Sequence, residues 1–185
     1  MKVVGLCGAS GSGKTSLAEG LIAALRAQGR RVSVIKHAHK RFDIDQPGKD
    51  SHRHRQAGAF EVLVANSQRL ALVREFDAAA DHDPNREPSV HQLLAELTDG
   101  GPDHWVLVEG FKHADLPKIE VWRAVKPVAP LYPHDPFVIA VATDAIDTLP
   151  APTALPVLDL NQPAAVLAFL LQDPHRHDYI APAFA

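Results

Sequence analysis

The sequence has little of three things that mark common classes of protein: cysteine, long apolar runs and excess charge. Cys7 is its only cysteine, so the 185-residue chain can form neither an internal disulfide nor a thiolate zinc cluster. No apolar stretch approaches the roughly 20 residues that cross a bilayer, and the first residues lead directly into a glycine-rich loop, unlike a signal peptide. A net charge of -3 does not indicate the basic surface that nucleic acids select. We therefore expect a cytoplasmic protein that binds neither membranes nor nucleic acid.

Strand-like and helix-like segments alternate along the chain, which predicts an α/β fold of the P-loop NTPase class. We expect a mostly parallel sheet with helices on both faces and an additional antiparallel strand region. A single nucleotide-binding domain is predicted over residues 1–172, with a poorly ordered tail over 173–185. The predicted strands are KVVGLCG, RVSVIKHA, FEVLVANS, RLALVREF, HWVLVEGF, KIEVWRA and FVIAVATD, and the predicted helices cover residues 15–28, 50–57, 90–97 and 163–171.

The segment GASGSGKT matches the phosphate-binding pattern G-x-x-x-x-G-K-[ST] at every fixed position. Its glycines permit backbone angles that turn N–H groups toward phosphate oxygens, and the following helix adds its positive end. We expect Lys14 to reach the β- and γ-phosphates and the Thr15 hydroxyl to ligate Mg²⁺. The predicted nucleotide-binding residues of this loop are Gly8, Ala9, Ser10, Gly11, Ser12, Gly13, Lys14, Thr15 and Ser16.

Two acidic residues are predicted to act near the metal. Glu109 ends the hydrophobic strand WVLVE, where P-loop proteins place an acid that positions metal or water. Asp45 lies in the polar loop after the second strand, the place of a switch acid, although Asp43 and Asp50 compete for that role. Glu109 and Asp45 are therefore the candidate catalytic residues and, together with Thr15, the candidate metal ligands.

The choice of base is less well marked in the sequence. The guanine-reading string NKxD is absent, but Thr143 and Asp144 end the strand segment VATD. An aspartate at that place can accept hydrogen bonds from N1 and N2 of guanine, and a turn-forming aspartate explains the same residue equally well. These residues give GTP a slight preference, with Asp144 as the candidate contact.

Four longer segments resemble the molybdopterin-guanine dinucleotide biosynthesis protein B (MobB) family: GASGSGKTSL, VIKHAHKRFDIDQPGKDSHRHRQAGA, LVEGFKHADLPKIEVWR and VLDLNQPAAVLAFL. The P-loop occurs in many families, whereas D-x-PGKDS followed by two arginines and AGA is far more specific, as is EGFK followed by KIEV-x-R. The resemblance implies a homodimeric GTP-binding protein that uses Mg²⁺ and has weak GTPase activity. It also implies a partner molybdenum cofactor guanylyltransferase, the A protein, which attaches GMP to molybdopterin.

Carried over by position, the resemblance implies that Gly8, Gly13, Lys14 and Thr15 bind phosphate and magnesium and that Glu109 is the second acid. It places Asp45, Lys49, Asp50, Ser51, Arg53 and Arg55 in a central motif without individual roles. Basic residues around the loops suggest a second anion site for the phosphate of molybdopterin: Lys36, Lys40, Arg41, Lys49, Arg53, Arg55 and Lys112. Arginine binds phosphate through two parallel bonds, but positions 53 and 55 would diverge by roughly 200° on a helix. From this set we select Arg53 and Lys112 as candidate contacts.

Two other classes of function remain open from the sequence. Three H-x-H pairs, at residues 37/39, 52/54 and 175/177, suggest a P-loop metallochaperone for nickel or zinc. A small-molecule kinase begins with the same loop, but the chain shows no obvious lid. Whether GTP is substrate, switch or donor is also open, and RLALVREF and KIEVWRA are the candidate edge strands for a dimer.

Overall fold

The computed structural model describes residues 1–38, 42–76, 87–126 and 128–182 of the chain. The chain divides into two compact units, one formed by Met1–His37 with Val90–Ala185 and one by Ala38–Ser89. The candidate anion-binding residues Lys40 and Arg41, and His39 of the first H-x-H pair, lie outside the described residues. The single nucleotide-binding domain over residues 1–172 stays a prediction.

The first unit is built on a six-stranded parallel sheet with the strand order β2-β5-β1-β6-β7-β8. This sheet confirms the predicted α/β fold, and only the short strand β8 was not predicted. In chain order the elements are β1 (Lys2–Cys7), α1 (Lys14–Ala27), β2 (Arg31–Lys36), α2 (Asp50–Gln56), β3 (Glu61–Ala65), β4 (Leu70–Arg74), α3 (Val90–Ala95), β5 (His104–Glu109), β6 (Lys118–Trp122), β7 (Val138–Thr143), β8 (Val157–Asp159), α4 (Pro163–Gln172) and a 3-10 helix (Pro174–His177).

Helices cover both faces of this sheet, as predicted. Both β1 and β5 are buried along their whole length, which is typical of central strands in a covered parallel sheet. The apolar face of α1 packs with α4 on one side, and Leu17, Leu21 and Leu25 are fully buried there. On the other side α3 inserts Val90 and Leu94. Among the described residues, no helix combines the length and the apolar character that a bilayer crossing needs.

The register of the sheet decides which residues reach the loop after β1. Glu109 pairs with Leu6 on one side and with Lys36 on the other. Because parallel strands end at the same edge, the ends of β2, β5 and β1 lie together there. The strand β6 lies between β1 and β7, so the prediction of KIEVWRA as an edge strand is wrong.

The second unit contains α2 and an antiparallel hairpin. Strands β3 and β4 pair from Glu61 opposite Arg74 to Ala65 opposite Leu70, which confirms the predicted antiparallel strand region. Its large apolar side chains are unusually open to solvent: Leu63 is 60% exposed and Leu70 is 64% exposed. A two-stranded sheet on its own is only marginally stable.

Residues 174–179 contact Met1 and β1, in the segment that the sequence predicts as a poorly ordered tail. His177 at the end of the 3-10 helix is buried, and its ring centre lies 5.3 Å from that of Trp105. Lys2 donates to the carbonyl oxygen of Pro174 at 3.1 Å, and its ammonium lies 2.5 Å from the carboxylate of Asp178. These contacts join segments from opposite ends of the chain, and no local sequence pattern reports them.

Burial of the His177 ring lowers its pKa to about 4, so we expect acid to destabilise the fold. The unfolded chain binds a proton at this residue near pH 6.5, whereas the folded chain binds it only near pH 4, and protons therefore favour the unfolded chain between these values. From pH 7 to pH 5 this residue should lower the free energy of unfolding by about 1–2 kcal/mol. Urea unfolding at both pH values measures the change.

The variant His177→Phe should remove this part of the pH dependence. His54→Phe, on the exposed surface of α2, is the matched control and should retain it. Equal pH dependence in the wild type and His177→Phe would show that the buried ring is not its source.

Candidate nucleotide-binding site

The loop between β1 and α1 has the backbone geometry of a phosphate cradle. Gly8 and Gly13 have φ angles of 126° and 102°, which residues with a side chain rarely adopt. A methyl group on Gly8 would collide with the carbonyl oxygen of Val121 on β6. The amide of Leu17 donates to the Gly13 carbonyl at 3.0 Å, so the loop continues directly into the helix. The helix N-terminus is thereby presented to any anion that the loop binds.

The Lys14 side chain folds back over this loop. Its ammonium donates to the carbonyl oxygens of Gly8 and Ala9 at 3.0 and 2.7 Å. Burial lowers the pKa of Lys14, and the nearby Glu109 carboxylate opposes that shift. The predicted phosphate-binding lysine is therefore at the loop, hydrogen-bonded to acceptors that a phosphate oxygen can replace.

Thr15 and Glu109 are brought together, as predicted for metal ligands. The Thr15 hydroxyl donates to Glu109 Oε1 at 2.8 Å, and Lys36 Nζ lies 3.3 Å from the same oxygen. The Glu109 side chain is only 10% exposed. A hydroxyl and a carboxylate are the hard oxygen donors that Mg²⁺ prefers, so the pair fits a magnesium ion.

One polar atom of the loop is unsatisfied. The Ser12 hydroxyl is buried and has no hydrogen-bond partner among the described residues. Buried hydroxyls normally have a partner, so its isolation within a phosphate-type loop fits a site that an anionic ligand completes. Ser10, Gly11 and Ser16 are exposed around it.

Asp144 follows β7, the neighbour of β6 in the sheet. Its Oδ2 lies 3.4 Å from Nε of Arg123, while the hydroxyl of the buried Thr143 accepts the amide of Ala145 at 3.1 Å. Asp144 thus lies at the end of a strand, as predicted, and its carboxylate forms an ion pair with Arg123. Its role in guanine recognition stays a prediction.

Two cations beside the P-loop were not selected from the sequence. A methyl group on Gly13 would lie 3.6 Å from Arg123 Nε, and one on Gly11 would lie 3.7 Å from Lys126 Nζ. Both cations belong to one turn after β6, in which the Lys126 amide donates to the Arg123 carbonyl at 2.9 Å. The KIEV-x-R motif contains Arg123 but gives it no role, because the P-loop is far away in sequence.

The arginine pair of the central motif lies in the second unit, and its two members differ sharply. Arg55 has an 11% exposed side chain and forms ion pairs with the carboxylates of Asp43, Asp45 and Glu75 at 3.0, 3.2 and 2.6 Å. Arg53 has a 75% exposed side chain and lies 3.8 Å from Asp50. Arg53 is therefore the member of the pair that is open to a ligand.

Asp45, predicted as a catalytic acid and metal ligand, is hydrogen-bonded within its own unit. Its Oδ1 accepts the Ser51 hydroxyl at 2.8 Å and the Gln46 amide at 2.9 Å. These bonds, with the one from Arg55, lower the pKa of Asp45, so its carboxylate is ionised at neutral pH. A metal at Asp45 would have to replace some of these bonds.

The histidine pairs do not assemble into a metal site in the described residues. His52 and His54 lie on α2, where positions two apart point in different directions. His175 lies 2.9 Å from Asp178, whereas His177 is buried against Trp105. Within residues 1–38, 42–76, 87–126 and 128–182, no three His, Cys, Asp or Glu side chains form a metal cluster. The metallochaperone alternative gains no support there.

Comparisons with known proteins agree on one family. The family model described as molybdopterin guanine dinucleotide synthesis protein B matches residues 3–144. The chain is 39% identical over 164 residues to the molybdopterin-guanine dinucleotide biosynthesis adapter protein of Escherichia coli K12, covering 88% of this chain and 87% of that protein. It is 38% identical over 168 residues to the Haemophilus influenzae protein of the same description, covering 91% and 86%. The crystal structure of a MobB protein homologue from Bacillus stearothermophilus has a similar fold, with a TM-score of 0.66. The two sequences are 26% identical, and the match covers 95% of this chain and 99% of that chain.

Removing the Glu109 carboxylate should lower the pKa of Lys14 further, because this carboxylate offsets the effect of burial. In Glu109→Gln, NMR titration of the lysine side chains should show Lys14 losing its proton at a lower pH than in the wild type. Glu19→Gln, on the exposed side of α1, is the matched control and should leave Lys14 unchanged. An unchanged or raised pKa of Lys14 in Glu109→Gln would disprove the coupling.

Proposed function

The chain belongs to the molybdopterin guanine dinucleotide synthesis protein B family, and on this premise we propose that it is a GTP-binding adapter with weak GTPase activity. It assists a partner molybdenum cofactor guanylyltransferase in attaching GMP to molybdopterin, and it works in the cytoplasm. The observation that carries the proposal is the meeting of Lys14, Thr15 and Glu109 at the P-loop.

Lys14 contacts the phosphates of the nucleotide, whereas Thr15 and Glu109 act together on its metal ion. Lys14 exchanges its bonds to the Gly8 and Ala9 carbonyls for bonds to phosphate oxygens, which are stronger because both partners are charged. Thr15 and Glu109 hold Mg²⁺, which neutralises phosphate charge when it is bound. The loop amides and the N-terminus of α1 hold the remaining phosphate oxygens.

Asp144 is the candidate for selecting guanine over adenine. A carboxylate accepts the two N–H donors that guanine presents at N1 and N2, and adenine has no matching pair. This carboxylate follows β7 and lies 3.4 Å from Nε of Arg123.

The adapter role rests on relatives that carry that description and align with most of this chain. Molybdopterin itself bears a phosphate. The candidate contacts for it are Lys112, which is exposed in the first unit, and, separately, Arg53, which is exposed in the second unit. Asp45 is the candidate switch acid, on condition that it gives up its bonds to Ser51 and Arg55.

We further propose a homodimer formed through the β3–β4 hairpin. Leu63, Val64 and Leu70 are more than half exposed on a sheet of only two strands. Unpaired strand edges and exposed apolar side chains favour association with another chain. A second copy would cover the same surface on both subunits, which is the usual form of a two-fold dimer.

GTP should bind the wild-type protein in the presence of Mg²⁺ more tightly than ATP, as measured by calorimetric titration. Lys14→Ala should weaken GTP binding by about 10- to 100-fold, because a charge-assisted phosphate contact is lost. Arg26→Ala, at the exposed end of α1, is the control and should bind normally. A preference for ATP would instead favour the small-molecule kinase.

The same variants test the adapter role in a reconstituted reaction with the guanylyltransferase, molybdopterin and GTP with Mg²⁺. Lys14→Ala should give no more guanine dinucleotide cofactor than the transferase alone, whereas Arg26→Ala should act like the wild type. Full cofactor synthesis with Lys14→Ala would refute the nucleotide role.

For the dimer, light scattering after size-exclusion chromatography should give twice the chain mass for the wild type. The double variant Leu63→Asp/Leu70→Asp should be monomeric, because the new carboxylates would have to be buried against the hairpin of the second copy. Ile146→Asp, a half-exposed position in the first unit, should remain dimeric. A monomeric wild type, or a dimeric hairpin variant, would exclude this interface.

A further inference from the structure

The turn after β6 carries two cations to the P-loop. Arg123 lies beside Gly13 and Lys126 lies beside Gly11, at the distances given above. The Nε atom of Arg123 is buried and has no hydrogen-bond partner among the described residues. Its ion pair with Asp144, at 3.4 Å, is too long for a good hydrogen bond. A buried guanidinium N–H without an acceptor is unusual. The Arg123 side chain as a whole is 31% exposed, so a ligand can reach the guanidinium group and offer it an acceptor.

Contacts on both sides of the turn hold it in place. Trp122, directly before Arg123, donates its indole N–H to the carbonyl oxygen of Val128 at 3.2 Å. Further along, the buried carboxylate of Glu120 accepts the amides of Leu131 at 2.9 Å and Tyr132 at 2.8 Å. The two cations are therefore presented by a segment that is fastened to the sheet.

The charges around the loop also point to an anion. Lys14, Arg123 and Lys126 all lie at the loop, and three like charges repel one another. Two carboxylates lie there too: Glu109 is shared with Lys36, and Asp144 pairs with Arg123. With Lys36 included, four cations face two carboxylates, which leaves the group with excess positive charge. Such an arrangement is favourable when a polyanion binds between the cations.

We propose that Arg123 and Lys126 bind the phosphate groups of the nucleotide in the P-loop, as a second set of cations from the same chain. This inference rests on the proposed nucleotide-binding function. Arg123 supplies directed N–H donors, and Lys126 supplies a flexible point charge. Lys14 and the turn after β6 then contact the phosphates from two parts of the fold.

GTP titrations of Arg123→Gln, Lys126→Ala, Arg26→Ala and Lys14→Ala in Mg²⁺ test this inference. Arg123→Gln should weaken GTP binding by about 10- to 100-fold and Lys126→Ala by about 3- to 30-fold, because each variant loses a charged phosphate contact. Both variants should also show a smaller loss of affinity with added salt than the wild type. Lys126 is exposed, so Lys126→Ala should fold normally. Thermal unfolding tests whether Arg123→Gln is folded.

The outcomes separate this inference from the proposed function. Wild-type affinity in both Arg123→Gln and Lys126→Ala, with binding lost in Lys14→Ala, would overturn the inference and leave the proposed function standing. Unchanged binding in Lys14→Ala would overturn the proposed function itself. Weaker binding with an unchanged salt dependence would show that the two residues act through structure, which also overturns the inference.

Discussion

The parallel pairing of β1 with β5 is the constraint on which the site depends. It places Glu109 opposite Leu6, two residues before the P-loop, and so within reach of the Thr15 hydroxyl. A shift of one residue would turn the carboxylate to the other face of the sheet. Both strands are buried on both faces, so such a shift would also move apolar side chains out of two separate cores. The packing that stabilises the sheet therefore also fixes the position of the Glu109 carboxylate beside Thr15.

The strand β6 links this geometry to the rest of the first unit. Its alternate residues Lys118 and Glu120 are buried charges, which are tolerated only when paired or fully hydrogen-bonded. Lys118 donates to the Ala114 carbonyl at 2.6 Å and pairs with Asp135 at 2.8 Å, while Glu120 accepts amides of the following loop. Ile119, which lies between these two residues, packs into the core. The KIEV-x-R motif is thus explained as an anchor for the loops on both sides, with Arg123 at its end facing the phosphate loop.

Sequence patterns a few residues long predict the features of this fold that depend on neighbouring residues. The P-loop is predictable because a strand, a glycine-rich loop and a helix follow one another directly in the sequence. Glu109 is predictable because it ends a short hydrophobic strand. The wrong edge assignment of KIEVWRA has a physical cause, since charges that alternate along a strand normally mark a solvent-facing side, and here Lys118 and Glu120 are paired inside. Arg123 and Lys126 were missed because only tertiary contact brings them to the P-loop. The three-residue β8 and the packed tail were missed for the same reason.

Arg55 and Arg123 show why counting basic residues cannot locate an anion site. Arg55 lies in a basic stretch of the sequence, yet three carboxylates surround its guanidinium and account for its charge. Arg123 stands in no basic cluster, yet one longer ion pair leaves its buried Nε without a hydrogen bond in the described structure. What distinguishes the two is the number of acceptors that the fold supplies, because a saturated guanidinium must first break internal bonds to bind phosphate. A chain with a net charge of -3 can therefore bind a polyanion wherever the fold leaves cations with too few acceptors.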